Sequence, residues 1–107
     1  MFEVFRYRTM AGEEPVTEWL ASLRDKLAQA KVRMRIQRLA AGNLGDSEPV
    51  GAGVFELREH LGPGYRVYYA RHGRTVVILL CGGTKKTQRS DIETAKEYWT
   101  DWKRRQS

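Results

Sequence analysis

Alternation of apolar and polar positions divides the chain into seven elements. Phe2-Glu3-Val4-Phe5-Arg6-Tyr7-Arg8-Thr9 alternates with period two and predicts a half-buried strand, which Gly12 ends. Pro15 suits the first position of a helix, and Val16, Trp19, Leu20, Leu23 and Leu27 follow at helical spacing. A second helical pattern runs through Val32, Ile36, Leu39 and Ala40. Residues 28–31 carry no strong break, so an αα-hairpin and one bent helix both fit. Residues 42–49, rich in Gly, Asn, Asp, Ser and Pro, have the chemistry of a loop.

Three strands are predicted next. Val54 to His60 places Phe55 and Leu57 on one face, with Glu56 and Arg58 on the other. After the Gly62-Pro63-Gly64 turn, Tyr65 to Arg71 places Tyr65, Val67 and Tyr69 on one face, with Arg66 and Tyr68 on the other. His72-Gly73 makes a tight hairpin connection. Thr75 to Cys81 is apolar on both faces, as in a central strand covered from both sides, and Gly82 and Gly83 end it. Ser90-Asp91-Ile92-Glu93 fits a capping box, beyond which Ile92, Ala95, Trp99 and Trp102 form one apolar stripe. The order β-α-α-β-β-β-α predicts an α+β fold: a small, antiparallel-rich, four-stranded sheet with an N-terminal helix pair and a C-terminal helix.

The chain of 107 residues and 12.4 kDa is expected to form a single domain over residues 1–107. Its 41% hydrophobic and 30% charged composition excludes a disordered chain. One cysteine and two histidines exclude an internal disulfide and the usual tetrahedral zinc sets, so neither metal nor cofactor is expected. No apolar run approaches the roughly 18–20 residues of a membrane helix, and Met1-Phe2-Glu3-Val4 is not a secretory leader. A cytoplasmic protein with no membrane partner is expected.

Charge sharpens the picture. The net charge is +6, but residues 1–53 hold eight bases against seven acids, and residues 90–107 hold four of each. Residues 54–89 hold Arg58, Arg66, Arg71, Arg74, Lys85, Lys86 and Arg89 against Glu56 and Glu59 alone. A concentrated excess of this kind is the footprint of a polyanion-binding surface. With Phe55/Leu57 and Val67/Tyr69 in the core, Arg58 and Arg66 project together from the opposite face. Lys85 and Lys86 leave the central strand where they can reach the same surface. Two guanidiniums and two ammoniums converging there call for an anion, so a phosphate site is expected.

Each of these residues also has a structural role open to it. Arg58 can pair with Glu56 or Glu59, Lys85-Lys86 can be a solvated turn, and Tyr68 is available either to stack on a base, to relay a proton, or simply to favour a strand. Gly82 to Thr87 lacks the spacing of a nucleotide phosphate loop. Cys81 reads as core, His72 as a solvated hairpin tip, and His60 as an acid–base candidate on the arginine side.

Three blocks carry a resemblance: Phe55-Glu56-Leu57-Arg58, Gly64 to Tyr69, and Leu79 to Gln88, followed by Asp91-Ile92 and Ala95-Lys96. In this order they resemble the addiction-module killer proteins of the RelE/HigB toxin superfamily, close to phage-derived host-killing proteins. The resemblance implies a RelE-like, microbial-ribonuclease-like sheet and the toxin role in a type II toxin–antitoxin pair. It implies a helix-turn-helix antitoxin partner in a hetero-oligomer, and ribosome-dependent, metal-independent cleavage of messenger RNA. In that chemistry the ribose 2′-hydroxyl attacks the adjacent phosphate and leaves a 2′,3′-cyclic phosphate. Carried over by position, the catalytic residues are Arg58, Arg66, Lys85 and Lys86, with RNA contacts from Tyr68, Gln88 and Arg89. The general base is unassigned: Tyr98 does not align with the C-terminal tyrosine of RelE, and His60 matches the histidine of HigB-type members loosely. ParE-like relatives share the fold and inhibit DNA gyrase without catalysis, which is the alternative activity. A basic nucleic-acid-binding module is a third. The antitoxin is expected either around Arg58, Arg66 and Lys85-Lys86, or against the helix pair with Trp19 exposed at its rim.

Overall fold

A computed structural model describes residues 1–106. It contains β1 (Glu3–Arg6), α1 (Pro15–Ser22), α2 (Lys26–Ala40), β2 (Ser47–Gly51), β3 (Val54–Glu59), β4 (Tyr65–His72), β5 (Val76–Thr84) and α3 (Gln88–Gln106), with a 3-10 turn at Lys85–Thr87. The sheet order is β1-β5-β4-β3-β2, with β1 parallel to β5 and the other pairs antiparallel. The fold is thus mixed α+β, with five strands rather than four and three helices.

The fifth strand is β2, inside the stretch expected to be a loop. It lies at the sheet edge, where Pro49 needs no ladder partner for its missing N–H. A bulge between Pro49 and Gly51, then a turn with positive φ at Gly51, Ala52 and Gly53, joins it to β3.

α1 and α2 are separate helices. Leu23 leaves helical geometry, and the Asp25 carboxylate accepts from the N–H groups of Leu27 and Ala28 to cap α2. Leu27, expected in the apolar stripe, is 59% exposed, because the new cap re-phases the helix and turns Ala28, Val32, Ile36 and Leu39 inward.

The sheet is covered on both faces. Val16, Leu20, Val32 and Leu39 of the helix pair pack on Leu57, Val67, Tyr69, Val77 and Leu79. On the other side, Ala95 and Trp99 of α3 pack on Tyr68, Ala70, Ile78 and Leu80. β5 is central, as its two apolar faces predict, but it continues through Gly82 and Gly83, which pair with Val67 and Arg66. Both glycines are required there. A Cβ at Gly82 would overlap the ring of Trp19, and one at Gly83 would overlap the Asp91 carboxylate. α3 correspondingly begins at Gln88 instead of Ser90, and the capping box forms between Thr84 and Thr87 at the preceding 3-10 turn. Among the described residues no helix is long and apolar enough to cross a membrane.

Candidate phosphate site

The antiparallel register of β3 and β4 sets Arg58 directly opposite Arg66 and Glu56 directly opposite Tyr68. All four side chains leave the sheet on one face, as alternation predicts. That face lies under α3, so Glu56 is only 2% exposed and Arg66 only 5%.

Two like charges directly across a ladder repel each other, and Glu56 offsets them. Its Oε2 lies 3.6 Å from Arg66 Nε, and its Oε1 lies 3.9 Å from Arg58 Nε. The Tyr68 hydroxyl donates to Oε2 at 3.1 Å, and the Gln88 amide donates to the same oxygen at 2.7 Å. The anion expected among the cations is therefore supplied in part by the chain itself.

The two arginines then differ. Arg58 Nη2 reaches outward to Glu48 at 2.8 Å and Asp46 at 3.2 Å. Its hydrogen bond to Glu48, followed by the charge of Asp46, raises its pKa further above the ordinary guanidinium value. Asp46 also meets His60 Nε2 at 2.5 Å, and that bond, with Arg58 behind it, holds the Asp46 carboxyl below the usual carboxylate range. Arg66 has no such company. Its Nε and Nη1 are both buried without a hydrogen-bond partner, whereas in Arg58 only Nε is.

Arg66 lines a pocket of about 460 Å³ with Arg58, His60, Lys85, Gln88 and the Gly62-Pro63-Gly64 turn. Gly64 has φ +79°, and a Cβ there would stand 3.2 Å from Arg66 Nη1, so glycine lets the guanidinium lie beneath the turn. The Lys85 N–H donates to the Gly64 carbonyl at 2.8 Å and ties the end of β5 to the same turn. The pocket thus gathers guanidinium groups, an ammonium and an imidazole around a space that fits a phosphate group.

Of the residues singled out in the sequence, Arg58, Arg66, Lys85 and Gln88 meet at this pocket. Lys86 and Arg89 are exposed on the 3-10 turn and the first turn of α3, outside its lining. Tyr68 cannot stack on a base: it is fully buried under α3, and burial, then the charge of Glu56, push its hydroxyl far above its ordinary pKa. Gln88 points its amide inward at Glu56. Cys81 is core, its thiol pushed up to about 12 by burial. His72 is exposed, with its ring edge against Trp102. Trp19 is half-buried over Gly82 instead of standing clear at a rim.

Glu56, Asp46 and Glu48 carry much of the site's electrostatics and were not singled out from the sequence as site residues. Glu56 was visible as the acid two positions before Arg58 on the same strand face. Asp46 and Glu48 lay in the stretch expected to be a loop.

The profile of the phage-derived Gp49-like protein family (DUF891) matches residues 18–100. A protein of Haemophilus influenzae strain Rd, described only as uncharacterised, is 51% identical over 78 residues, covering 73% of this chain and 79% of its own length. The matched span takes in the second half of α1, all of α2, the pocket and most of α3. The chain belongs to the phage-derived Gp49-like protein family.

Proposed function

We propose that this chain is the toxin of a type II toxin–antitoxin pair and that it cuts messenger RNA on the ribosome. Support comes first from one observation: a buried Arg66, with two nitrogens that make no hydrogen bond, lining a pocket beside Lys85 and Gln88. The guanidinium and the Lys85 ammonium together put positive charge where a phosphate would sit. Membership in a phage-derived family fits an addiction module.

In this chemistry the ribose 2′-oxygen bonds to phosphorus as the bond to the 5′-oxygen breaks, leaving a 2′,3′-cyclic phosphate and a 5′-hydroxyl. Arg66 stabilises the charge that builds on the phosphorane. His60, held at Nε2 by Asp46, presents Nδ1 to take the 2′-hydroxyl proton, and Lys85 supplies a proton to the departing 5′-oxygen. Arg58, whose outer donors are taken by Asp46 and Glu48, holds Asp46 in place and adds positive field. Lys86 and Arg89 meet flanking phosphates. No metal takes part in these steps. The partner that silences the activity is a helix-turn-helix antitoxin.

Primer extension on cellular messages after induction tests the proposal. New 5′ ends inside coding regions are expected, together with growth arrest. Arg66→Ala should lower cleavage by about a hundredfold to a thousandfold, the usual loss for a transition-state donor. Growth arrest without new RNA ends would favour gyrase inhibition, and unchanged growth would favour a non-toxic binding module. An Arg66→Ala chain that stays fully toxic would overturn the role of Arg66.

A further inference from the structure

The two edges of the sheet are built differently. β2 carries Pro49, the exposed Glu48 and a bulge, all of which discourage a further strand. β1, the opposite edge, has neither proline nor bulge. Glu3 and Tyr7 send their N–H groups to Thr75 and Leu79. Parity along a parallel pair therefore turns the N–H and C=O groups of Val4 and Arg6 away from β5, toward the open side.

A pocket lies on each side of that open edge. On the α3 side, one of about 360 Å³ is lined by Phe5, Trp102 and Gln106, by Arg8 and Arg105, which pair with Glu14 and Asp101, and by Arg6, which borders both pockets; Phe5 is 48% exposed. On the α2 side, a smaller one of about 140 Å³ is lined by Arg6, Arg33, Ile36 and Gln37. Successive side chains of a strand point to opposite faces, so a strand laid along β1 delivers alternate side chains to the two pockets.

Charge indicates what those side chains are. Arg6 donates to the Thr17 hydroxyl at 2.8 Å and acts on nearby Glu14 through its charge, and Arg33 is exposed with no carboxylate at ion-pair distance among the described residues. α2 itself holds five basic residues and no acid. A second copy of this chain is a poor occupant, because its own β1 would bring Arg6 against Arg6 and Arg33. We propose that β1 is a docking edge for an extended acidic segment of a partner protein. That segment adds a sixth strand, with carboxylates toward Arg6 and Arg33 and apolar side chains toward Phe5 and Trp102.

This surface is separate from the Arg66 pocket, so its test does not depend on any nuclease activity. The probe is a labelled ten-residue peptide alternating glutamate with leucine or valine, titrated into the full chain by fluorescence anisotropy. Saturable binding is expected, with the Val4 and Arg6 amides gaining protection from hydrogen exchange. Arg6→Pro deletes an outward N–H while leaving the β5 ladder intact, and should weaken binding about tenfold beyond Arg6→Ala. Near-ultraviolet circular dichroism and the melting temperature establish that both variants are folded. A peptide of the same composition with its acids and apolar residues in separate blocks should bind about tenfold more weakly. Equal binding of the two peptides, equal binding by Arg6→Pro and Arg6→Ala, or protection confined to residues 62–66 would each overturn the docking edge.

Discussion

Arg58 and Arg66 face each other on one side of one ladder, yet they have opposite surroundings. Arg58 meets three carboxylates, whereas Arg66 meets Glu56 alone, at 3.6 Å from its Nε, and neither that nitrogen nor Nη1 makes a hydrogen bond. Glu56 is the pivot, because it is buried between both cations and also accepts from Tyr68 and Gln88. Glu56→Ala should therefore cost about 3–5 kcal/mol, since it leaves buried positive charge uncompensated. Arg58→Ala should cost less, roughly 1 kcal/mol, because Asp46 and Glu48 are open to water and the third carboxylate, buried Glu56, keeps Arg66, Tyr68 and Gln88. Urea unfolding of the two variants checks this, and equal losses would remove Glu56 from its central place. Strand alternation made the shared face of Glu56, Arg58, Arg66 and Tyr68 legible. It could not tell that α3 lies over that face, because a polar strand face reads the same whether water or a helix covers it. For that reason Tyr68 looked like a surface residue and is core.

At the scale of elements, the pocket depends on how closely helices approach β5. Gly83 lets the first turn of α3 close on the sheet, with Thr87 donating to Asp91 at 2.5 Å, and this aims Gln88 at Glu56. Gly82 gives Trp19 of α1 a flat surface on the other side. In the sequence the two glycines read as a strand end, because glycine is poor in strands and common in turns. Their use as places of close approach appears only once both helices are in position. The edge strand β2 was hidden for a related reason: Pro49 and its polar neighbours argue against a central strand but are compatible with an edge. Gly82→Ala should lower stability by about 1–3 kcal/mol by pressing on a well-packed ring, and should shift tryptophan fluorescence. In a Trp19→Ala background the same substitution should cost less than about half as much, because the obstructing ring is gone. Additive losses in that double-mutant cycle would mean that Gly82 matters for strand geometry and not for Trp19.

Over the whole molecule, the net charge of +6 falls on distinct surfaces. One lies around the Arg66 pocket, with Lys85 in its lining and Lys86 and Arg89 just outside. Another is α2, which packs on the opposite face of the sheet and carries five bases without an acid. Asp46 and Glu48 neutralise Arg58, so the pocket surface is less positive than its residue count suggests. If single-stranded RNA binds at the pocket, it meets Arg66, Lys85, Lys86 and Arg89, and each phosphate neutralised releases counterions. Four such contacts predict that log K falls with log salt at a slope of about −3, at roughly 0.7 per phosphate. Lys85→Ala should make the slope shallower by about 0.7. Arg33→Ala should leave it unchanged, since Arg33 lies across the sheet beside Arg6. Binding of a short uridine oligomer, measured at several salt concentrations for the three proteins, decides the matter. An equal loss of slope on Arg33→Ala would mean that RNA also runs over α2, and that the Arg66 pocket is one part of a wider footprint.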